Sequence, residues 1–343
     1  MIRRNVVLGA AATALLCAGC GPSGTTSEPQ QSLTPPTSAP SALESTPSVT
    51  STPDPTFPAG ATSYAPVVLN ACGLAGTEQQ AVPLGCAEDT SVITYGSTRS
   101  LKIEPGSGIP ATSAAHFVDD KALVAIRTGE RPNVKGAVTV IDGATGSATS
   151  VDLGDRLPYS AGAAKNGIVI GTIDGRIAFV SVTGQVKDLG SVDSPVAAVA
   201  SSGSRVWVLQ ESGSLGWIAS SGGTVHRVAD VKGFQREGFA ATNGELWVLT
   251  RRQGIRRFSG DNELGALDVP SDSLSLTPCA NGVWLRSRSA ADEATDYTLL
   301  SEAGRSLKRW RPPAFIGYSA CSGNAVWGLA VDGSLYRSPR GTQ

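Results

Sequence analysis

The sequence predicts an all-β protein built from repeated four-stranded units, and three observations support this fold class. A degenerate unit of about 40 residues recurs along most of the chain. Each unit contains short alternating apolar segments separated by polar turns, often with Gly, as in antiparallel hairpins. The 343 residues include 40 glycines and only 17% charged residues, which suits many short strands better than helices.

A tryptophan recurs at the same place in the four clearest units, at intervals of 40, 37 and 43 residues: Trp207, Trp247, Trp284 and Trp327. Weaker copies begin at three earlier positions: Val82, Thr112 and Ser160. A four-stranded repeat of this length is typical of a β-propeller blade. We therefore expect a single propeller of about seven blades, within a range of six to eight, over residues 64–343.

The predicted first strand of each blade is rich in Ala, Gly and Ser, which suits the crowded axis of a propeller. The recurrent Trp on the next strand would fill the wedge between blades. The last unit ends after about three strands, at Arg337. The segment "YAPVVLNA", Tyr64 to Ala71, is a candidate for the missing strand and would close the ring without an exposed edge.

The segment "VTVIDGATGSATSVDLG", Val138 to Gly154, carries Asp, Thr and Gly in its central turn. It resembles the YVTN-type repeat of quinoprotein-like propellers. The resemblance implies the fold but says little about activity, because one fold hosts many functions.

The N-terminus combines a basic start, Met1 to Arg4, with an apolar run from Val6 to Leu16 that is too short to span a bilayer. The small residues Ala18 and Gly19 then precede Cys20. This arrangement resembles the bacterial lipobox, although Cys17 stands where that family usually has Leu. The resemblance implies that residues 1–19 are a signal peptide and that Cys20 is acylated. A plain secretory signal cut nearby is the alternative.

Residues 20–63 are dominated by Ser, Thr and Pro and lack apolar periodicity, so they are expected to form a disordered tether. Such a chain would extend on the order of 100 Å from its anchor. No Lys or Arg lies between Arg4 and Arg99, so the tether has no polybasic second membrane signal. The acylated Cys20 would then supply the anchorage to the outer face of the cytoplasmic membrane.

Four cysteines remain in the exported domain, where an oxidising compartment favours disulfides: Cys72, Cys86, Cys279 and Cys321. Pairs Cys72–Cys86 and Cys279–Cys321 are expected, the latter joining the first strands of adjacent blades. Cys86 with Cys321 is the alternative. No short C-x-x-C spacing survives removal of Cys17, so no metal site is expected from these residues.

Catalytic motifs are not evident, and two histidines are the available bases. His116 is expected near the central channel, and His226 on an outer strand; structural roles are favoured for both. The Asp-Gly pairs at Asp142, Asp174 and Asp332 predict hairpin turns rather than calcium ligands. The predicted first strands, such as "AAVAS" and "GFAAT", contain no carboxylate. We therefore expect no metal or other cofactor.

Two basic segments, "RRQGIRRF" and "LKRWRPP", form a possible interaction patch for an anionic partner, with a solvated hairpin as the alternative. Its residues are Arg251, Arg252, Arg256, Arg257, Arg309, Trp310 and Arg311. The formal net charge of −1 argues against a nucleic-acid binder.

The sequence thus predicts a lipid-anchored, exported and monomeric propeller that acts as a non-catalytic binding or scaffolding module for envelope proteins or cell-wall glycans. The alternative is a propeller enzyme, either a lactonase-like hydrolase or a quinone-type dehydrogenase, with its site at the channel mouth.

Overall fold

A computed structural model describes residues 71–76, 81–86, 91–95, 99–103, 110–118, 121–128, 133–142, 147–280, 282–289, 294–322, 325–331 and 334–339. Contacts divide the chain into Met1–Asp54 and Pro55–Gln343, and every described residue belongs to the second unit. The predicted signal peptide, Cys20 and the tether lie outside the described residues. Within the described part, no helix has the length and apolarity that a membrane span requires.

The described residues form strands that group into seven consecutive antiparallel sheets, here called blades 1 to 7. Blade 1 contains β1 (Ala71–Gly76), β2 (Ala81–Cys86), β3 (Ser91–Tyr95) and β4 (Arg99–Ile103). Blade 2 contains β5 (Pro110–Val118), β6 (Lys121–Thr128), β7 (Lys135–Asp142) and β8 (Ala148–Gly154). Blade 3 contains β9 (Pro158–Ala164), β10 (Gly167–Thr172), β11 (Arg176–Ser181) and β12 (Val186–Ser191). Blade 4 contains β13 (Val196–Ser202), β14 (Arg205–Gln210), β15 (Ser214–Ala219) and β16 (His226–Asp230). Blade 5 contains β17 (Phe234–Thr242), β18 (Glu245–Thr250), β19 (Gly254–Ser259) and β20 (Asn262–Leu267). Blade 6 contains β21 (Ser273–Cys279), β22 (Gly282–Arg288), β23 (Thr295–Leu300) and β24 (Ser306–Trp310). Blade 7 contains β25 (Ile316–Ser322), β26 (Ala325–Ala330) and β27 (Leu335–Arg337).

The blades form a closed ring around a central axis. Strands within each blade pair in sequence order. The first strand of each blade contacts the first strand of the next, and β25 of blade 7 contacts β1 of blade 1. The predicted all-β propeller of about seven blades is therefore confirmed.

Burial follows strand position within a blade. All six residues of the second strands β10 and β26 are buried, because neighbouring blades cover both of their faces. The outermost strands β12 and β20 are mostly exposed. Where burial is described, the middle strands are therefore apolar and buried, and the outermost strands are mostly polar and exposed.

The recurrent tryptophans fill the wedges between blades, as predicted. Trp207 of blade 4 is fully buried and packs with Leu246 and Val248 of blade 5. Trp327 of blade 7 packs with Leu74 of blade 1, so the same contact helps to close the ring.

Small residues are required where first strands meet at the axis. A Cβ atom added at Gly162 of β9 would lie 2.4 Å from the carbonyl oxygen of Val199 in β13. No side chain fits at that distance without a backbone shift, so the Gly permits the close approach of blades 3 and 4.

The start of the first blade differs from the prediction. Ala71 belongs to β1 and pairs with Gly85 of β2, so the unit predicted to begin at Val82 begins with a second strand. Blade 7 has three strands among the described residues. Its proposed fourth strand lies in residues 64–70, which are outside the described part, and Ala71 is not available for it.

A disulfide joins Cys279 and Cys321, whose Cα atoms are 5.5 Å apart at the ends of first strands β21 and β25. This pair excludes the alternative Cys86–Cys321 bridge. Cys86 ends the second strand β2, not a first strand as that alternative assumed, and Cys72 lies on the paired strand β1. The side chains of these two residues are outside the described part, so their bridge stays a prediction.

Candidate functional site at one mouth of the propeller

The topology places two kinds of connection on the same face of the disc. Turns between second and third strands lie at that end, together with the segments that lead from each outermost strand to the next first strand. We call this end the mouth face. The Cys279–Cys321 disulfide lies at the opposite end of the first strands.

The first strand of blade 5 carries a large bulge on the mouth face. In β17, Phe234 pairs with Thr250 and the next paired residue, Phe239, faces Val248, so residues 235–238 lie opposite Leu249 alone. A Cβ atom at Gly238 would lie 2.3 Å from Cβ of Leu249, and a Gly is therefore needed where the strand returns to the sheet. The bulge presents Gln235, Arg236 and Glu237 at the mouth of the channel.

Arg236 reaches from this bulge toward blades 3 and 4. Its Nη2 atom lies 2.7 Å from Oε2 of Glu211 and also donates to the hydroxyl of Tyr159. Its guanidinium carbon stacks 4.4 Å from the centroid of the Tyr159 ring. Burial opposes the charged form of Arg236, but Tyr159 and Glu211 outweigh it and raise the pKa of the guanidinium.

Glu237 reaches in the other direction, toward blades 6 and 7. Nη2 of Arg286 donates to its Oε2 atom at 2.9 Å, while Nη1 of Arg286 donates to the carbonyl oxygens of Ile316, at 2.9 Å, and Gly317. The Arg286 side chain is 6% exposed and that of Glu237 is 58% exposed. A buried guanidinium thus joins blade 6 to the backbone of blade 7.

We call the five connected residues the mouth network: Tyr159, Glu211, Arg236, Glu237 and Arg286. Two adjacent positions of one bulge link blade 5 to blades on both sides of it. Charge-assisted hydrogen bonds thus connect blades 3 to 7 at the mouth; the buried Arg286 forms the strongest link and the half-exposed Arg236–Glu211 pair contributes less.

Two tyrosines lie beside this network in blades 6 and 7. Burial raises the pKa of Tyr297 to about 12, against opposing effects of the Arg286 charge and of a hydrogen bond with Ser319. Burial and the negative charge of Glu237 raise the pKa of Tyr318. Both hydroxyls therefore stay protonated at neutral pH.

A pocket of about 600 Å³ opens beside the mouth network. Its walls include Glu211, Gly233, Phe234, Gln235, Arg236, Glu237, Arg251, Leu274 and Arg286. Arg251 is exposed in the turn between β18 and β19, and its backbone amide donates to the carbonyl of Gly233 at 2.9 Å. Its side chain forms no ion pair with any other residue that the structure describes.

The predicted basic patch is not a single surface. Arg256 pairs with Glu263, with Nη2 and Oε2 at 2.7 Å, and Arg257 pairs with Glu245 at 3.3 Å. Arg257 also stacks 5.0 Å from the ring centroid of Trp247. These two arginines reach the neighbouring strands β20 and β18 and neutralise carboxylates of their own blade, so they do not form a free cationic surface.

The second basic segment is likewise dispersed. Arg311 pairs with Asp296 at 2.6 Å, and Trp310 is 5% exposed and stacks 5.0 Å from Tyr297. Arg309 is exposed on the outermost strand β24. The structure does not bring the seven residues together, because the two segments lie on blades 5 and 6 and alternation along their strands sends neighbouring side chains to opposite faces. A role in binding for the separate residues stays a prediction. Of its seven residues, Arg251 lines the pocket, and Arg252 lies exposed in the same turn.

The remaining candidate residues have structural surroundings. His226 begins the outermost strand β16, as expected, and stacks 4.4 Å from Trp217. His116 lies on the first strand β5, and its side chain is outside the described residues. Asp142 ends β7 in a hairpin, and Asp174 lies in the β10–β11 turn, as predicted. Asp332 is outside the described part.

The sequence did not predict the carboxylate at the channel mouth. The predicted first strand "GFAAT" is the end of a longer strand that begins at Phe234 and includes Glu237. The sequence feature that could have revealed Glu237 is the length of this unit, which has additional residues before its small-residue segment. Among the described residues, no group of three or more His, Cys, Asp or Glu is arranged to hold a metal ion.

Comparison with known protein families and with curated proteins finds no match. Solved structures with the same fold include virginiamycin B lyase from Staphylococcus aureus, with 12% identity, 82% of this chain and 99% of that chain covered, and a TM-score of 0.57. BamB from Moraxella catarrhalis has 12% identity, coverage of 80% and 84%, and a TM-score of 0.52. BBS1N in complex with ARL6DN has 14% identity, coverage of 82% and 96%, and a TM-score of 0.59. These similarities show that the chain has a β-propeller fold.

Proposed function

We propose that this protein is a non-catalytic binding module whose partner docks on the mouth face of the propeller. The observation that carries the proposal is the open pocket beside the mouth network, in which Arg236 and Arg286 are held by fixed partners. Such a prearranged set of donors and acceptors lowers the cost of ordering side chains on binding. A pocket prearranged in this way suits the recognition of a partner by a rigid surface.

The protonation behaviour of the site supports binding over acid–base catalysis. A general base works best with a pKa near the operating pH. The pKa values of Tyr297 and Tyr318 are instead raised, and that of Arg236 is raised too. These groups hold their protons at neutral pH and are not suited to act as a general base there.

The mouth face also exposes apolar side chains on its turns. Ile173 is 44% exposed in the β10–β11 turn, Phe315 is 43% exposed before β25, and Val331 is 76% exposed after β26. They lie on blades on either side of the pocket. Apolar and aromatic groups around Arg and Tyr side chains are the composition of protein-binding surfaces. A propeller neighbour of similar fold, BBS1N, is known in complex with a protein, ARL6DN.

We place this module outside the cytoplasm, tethered by residues 20–63 to an acylated Cys20, with envelope proteins or cell-wall glycans as its partners. The motivation is the lipobox-like sequence before Cys20 and the Ser/Thr/Pro-rich segment after it. Cys20→Ala should move the protein from the membrane fraction to the soluble fraction of cells. A Cys20→Ala protein that stays in the membrane fraction would contradict the anchor.

Site-directed cross-linking on intact cells tests the docking face. A photoreactive amino acid at Val331 reports on the mouth face, and one at Ser204, exposed in the β13–β14 turn, is the matched control on the opposite face. We expect a discrete cross-linked species from position 331 and none from position 204. Equal labelling at both positions, or none at 331, would refute docking on the mouth face.

The competing function is a propeller enzyme, of the lactonase-like or quinone-type dehydrogenase class. The exposed carboxylate of Glu237 at the channel mouth is the observation that favours it. Elemental analysis and absorbance spectra of protein purified from its native cells separate the two. A stoichiometric divalent metal or quinone would support the enzyme and count against the binding module.

A further inference from the structure

The charges that line the pocket are not balanced. Three guanidinium groups, of Arg236, Arg251 and Arg286, face two carboxylates, of Glu211 and Glu237. Arg236 is matched by Glu211 and Arg286 by Glu237. Arg251 is the remaining cation and is exposed at the rim of the pocket.

This excess of one positive charge defines the ligand chemistry. We infer that the pocket binds the carboxylate of an acidic side chain, carried by an extended segment of a partner protein, with Arg251 as its principal donor. Arg presents paired donors that match the two oxygens of a carboxylate. The inference rests on the proposed function and specifies what the mouth face recognises.

A carboxylate fits the site better than a phosphate group. A phosphate dianion would bring two negative charges beside Glu211 and Glu237, which already occupy the walls, and only one cation is uncompensated. Like charges brought together at short range are unfavourable. A single carboxylate neutralises Arg251 and adds no excess charge.

The surroundings of the pocket favour a polypeptide over a small free anion. The Glu237 side chain is 58% exposed and that of Arg236 is 40% exposed, so the site is open on one side and would not enclose a small ligand. Phe234 and Leu274 add apolar surface to the walls. Exposed apolar side chains also lie on mouth-face turns of blades 3 and 7, on either side of the blades that line the pocket.

Selection from a random nonapeptide display library against the detergent-solubilised native protein tests the inference. We expect the recovered peptides to share an Asp or Glu at one position. The best peptide is then synthesised with that residue as Glu or as Gln. We expect the Gln peptide to bind at least about tenfold more weakly, as a lost charge-assisted hydrogen bond predicts.

Two neighbouring substitutions identify the donor. Arg251→Met should weaken the Glu peptide about tenfold and the Gln peptide less than about twofold, whereas Arg252→Met, in the same turn but outside the pocket wall, should change neither by more than about twofold. Because Arg251 is exposed and unpaired with described residues, its loss should not unfold the protein, which thermal denaturation checks.

Several results would overturn the inference. They are recovery of no peptide or of peptides without an acidic residue, equal effects of the two Arg substitutions, and stronger competition by inorganic phosphate than by acetate. Cross-linking from Val331 assumes nothing about charge. A positive cross-link with a failed acidic selection would therefore reject the carboxylate ligand and keep the docking face.

Discussion

Arg286 should contribute far more to stability than the carboxylate with which it pairs. Its side chain is 6% exposed and donates to two backbone carbonyls of blade 7, whereas Glu237 is 58% exposed. Arg286→Met would leave those carbonyls without this donor. A buried acceptor that loses its partner costs about 1–3 kcal/mol.

The expected magnitude follows from these contacts. Ile316 is fully buried and its carbonyl would carry most of the penalty, while the carbonyl of Gly317 is partly buried and would carry less. The substitution also removes the cost of burying the guanidinium, which offsets part of the loss. We expect Arg286→Met to lower the free energy of unfolding by about 2–4 kcal/mol. Glu237→Gln should lower it by at most about 1 kcal/mol, because the carboxylate is largely solvated.

Urea denaturation of the two single variants and the double variant separates the contribution of the carbonyl hydrogen bonds from that of the Arg286–Glu237 ion pair. The midpoint should fall strongly for Arg286→Met at an unchanged slope, and the deficit should persist in high salt because carbonyl hydrogen bonds are not screened as surface ion pairs are. Equal losses from Arg286→Met and Glu237→Gln, abolished together by salt, would refute this reasoning and assign the energy to the ion pair.

Three further predictions concern the rest of the propeller. Trp247→Ala should lower the free energy of unfolding by about 3–5 kcal/mol, because this side chain is fully buried between blades 5 and 6; a urea midpoint close to that of the wild type would contradict the wedge role. Replacing Cys279 and Cys321 by Ala should cost roughly 4 kcal/mol in the chain-entropy model, and under reducing conditions the wild type and the double variant should unfold at the same urea concentration. Arg256 lowers the pKa of Glu263 below its ordinary value of 4.5, so this pair stabilises the fold above about pH 4.5 and loses its effect as the pH falls through the folded-state pKa. Glu263→Gln should therefore remove at most about 1 kcal/mol at neutral pH and flatten the decline of stability below pH 4.5, and an unchanged acid profile would contradict the pKa shift.

The repeat in the sequence was sufficient to predict the fold because each blade repeats the same packing problem. Trp207 and Trp327 occupy equivalent wedges between blades. Gly162 lies at the axis, where the close approach of neighbouring first strands leaves no space for a side chain. The Cys279–Cys321 bridge could be placed because both residues lie at matching positions near the ends of first strands of neighbouring blades. Regular features of this kind follow from local pattern and from closure of the ring.

The site could not be predicted in the same way, because it depends on where the repeat is interrupted. The bulge at residues 235–238 shifts the register of β17, and no local pattern states which blades its side chains will reach. Tyr159 and Arg236 are far apart in sequence and meet only because blades 3 and 5 flank the same mouth. The residues of the predicted patch are separated for the opposite reason, since residues adjacent in sequence alternate between the two faces of one strand.

The structure separates the residues that hold the mouth from the residue that we propose binds the partner. Arg236 and Arg286 contact other blades, so a substitution at either position removes contacts between blades as well as changing the surface. Arg251 lies in an exposed turn and is fixed through its backbone amide, not through its side chain. Its side chain is therefore free to be replaced without loss of the network, and ligand preference should be alterable at this turn at little cost in stability.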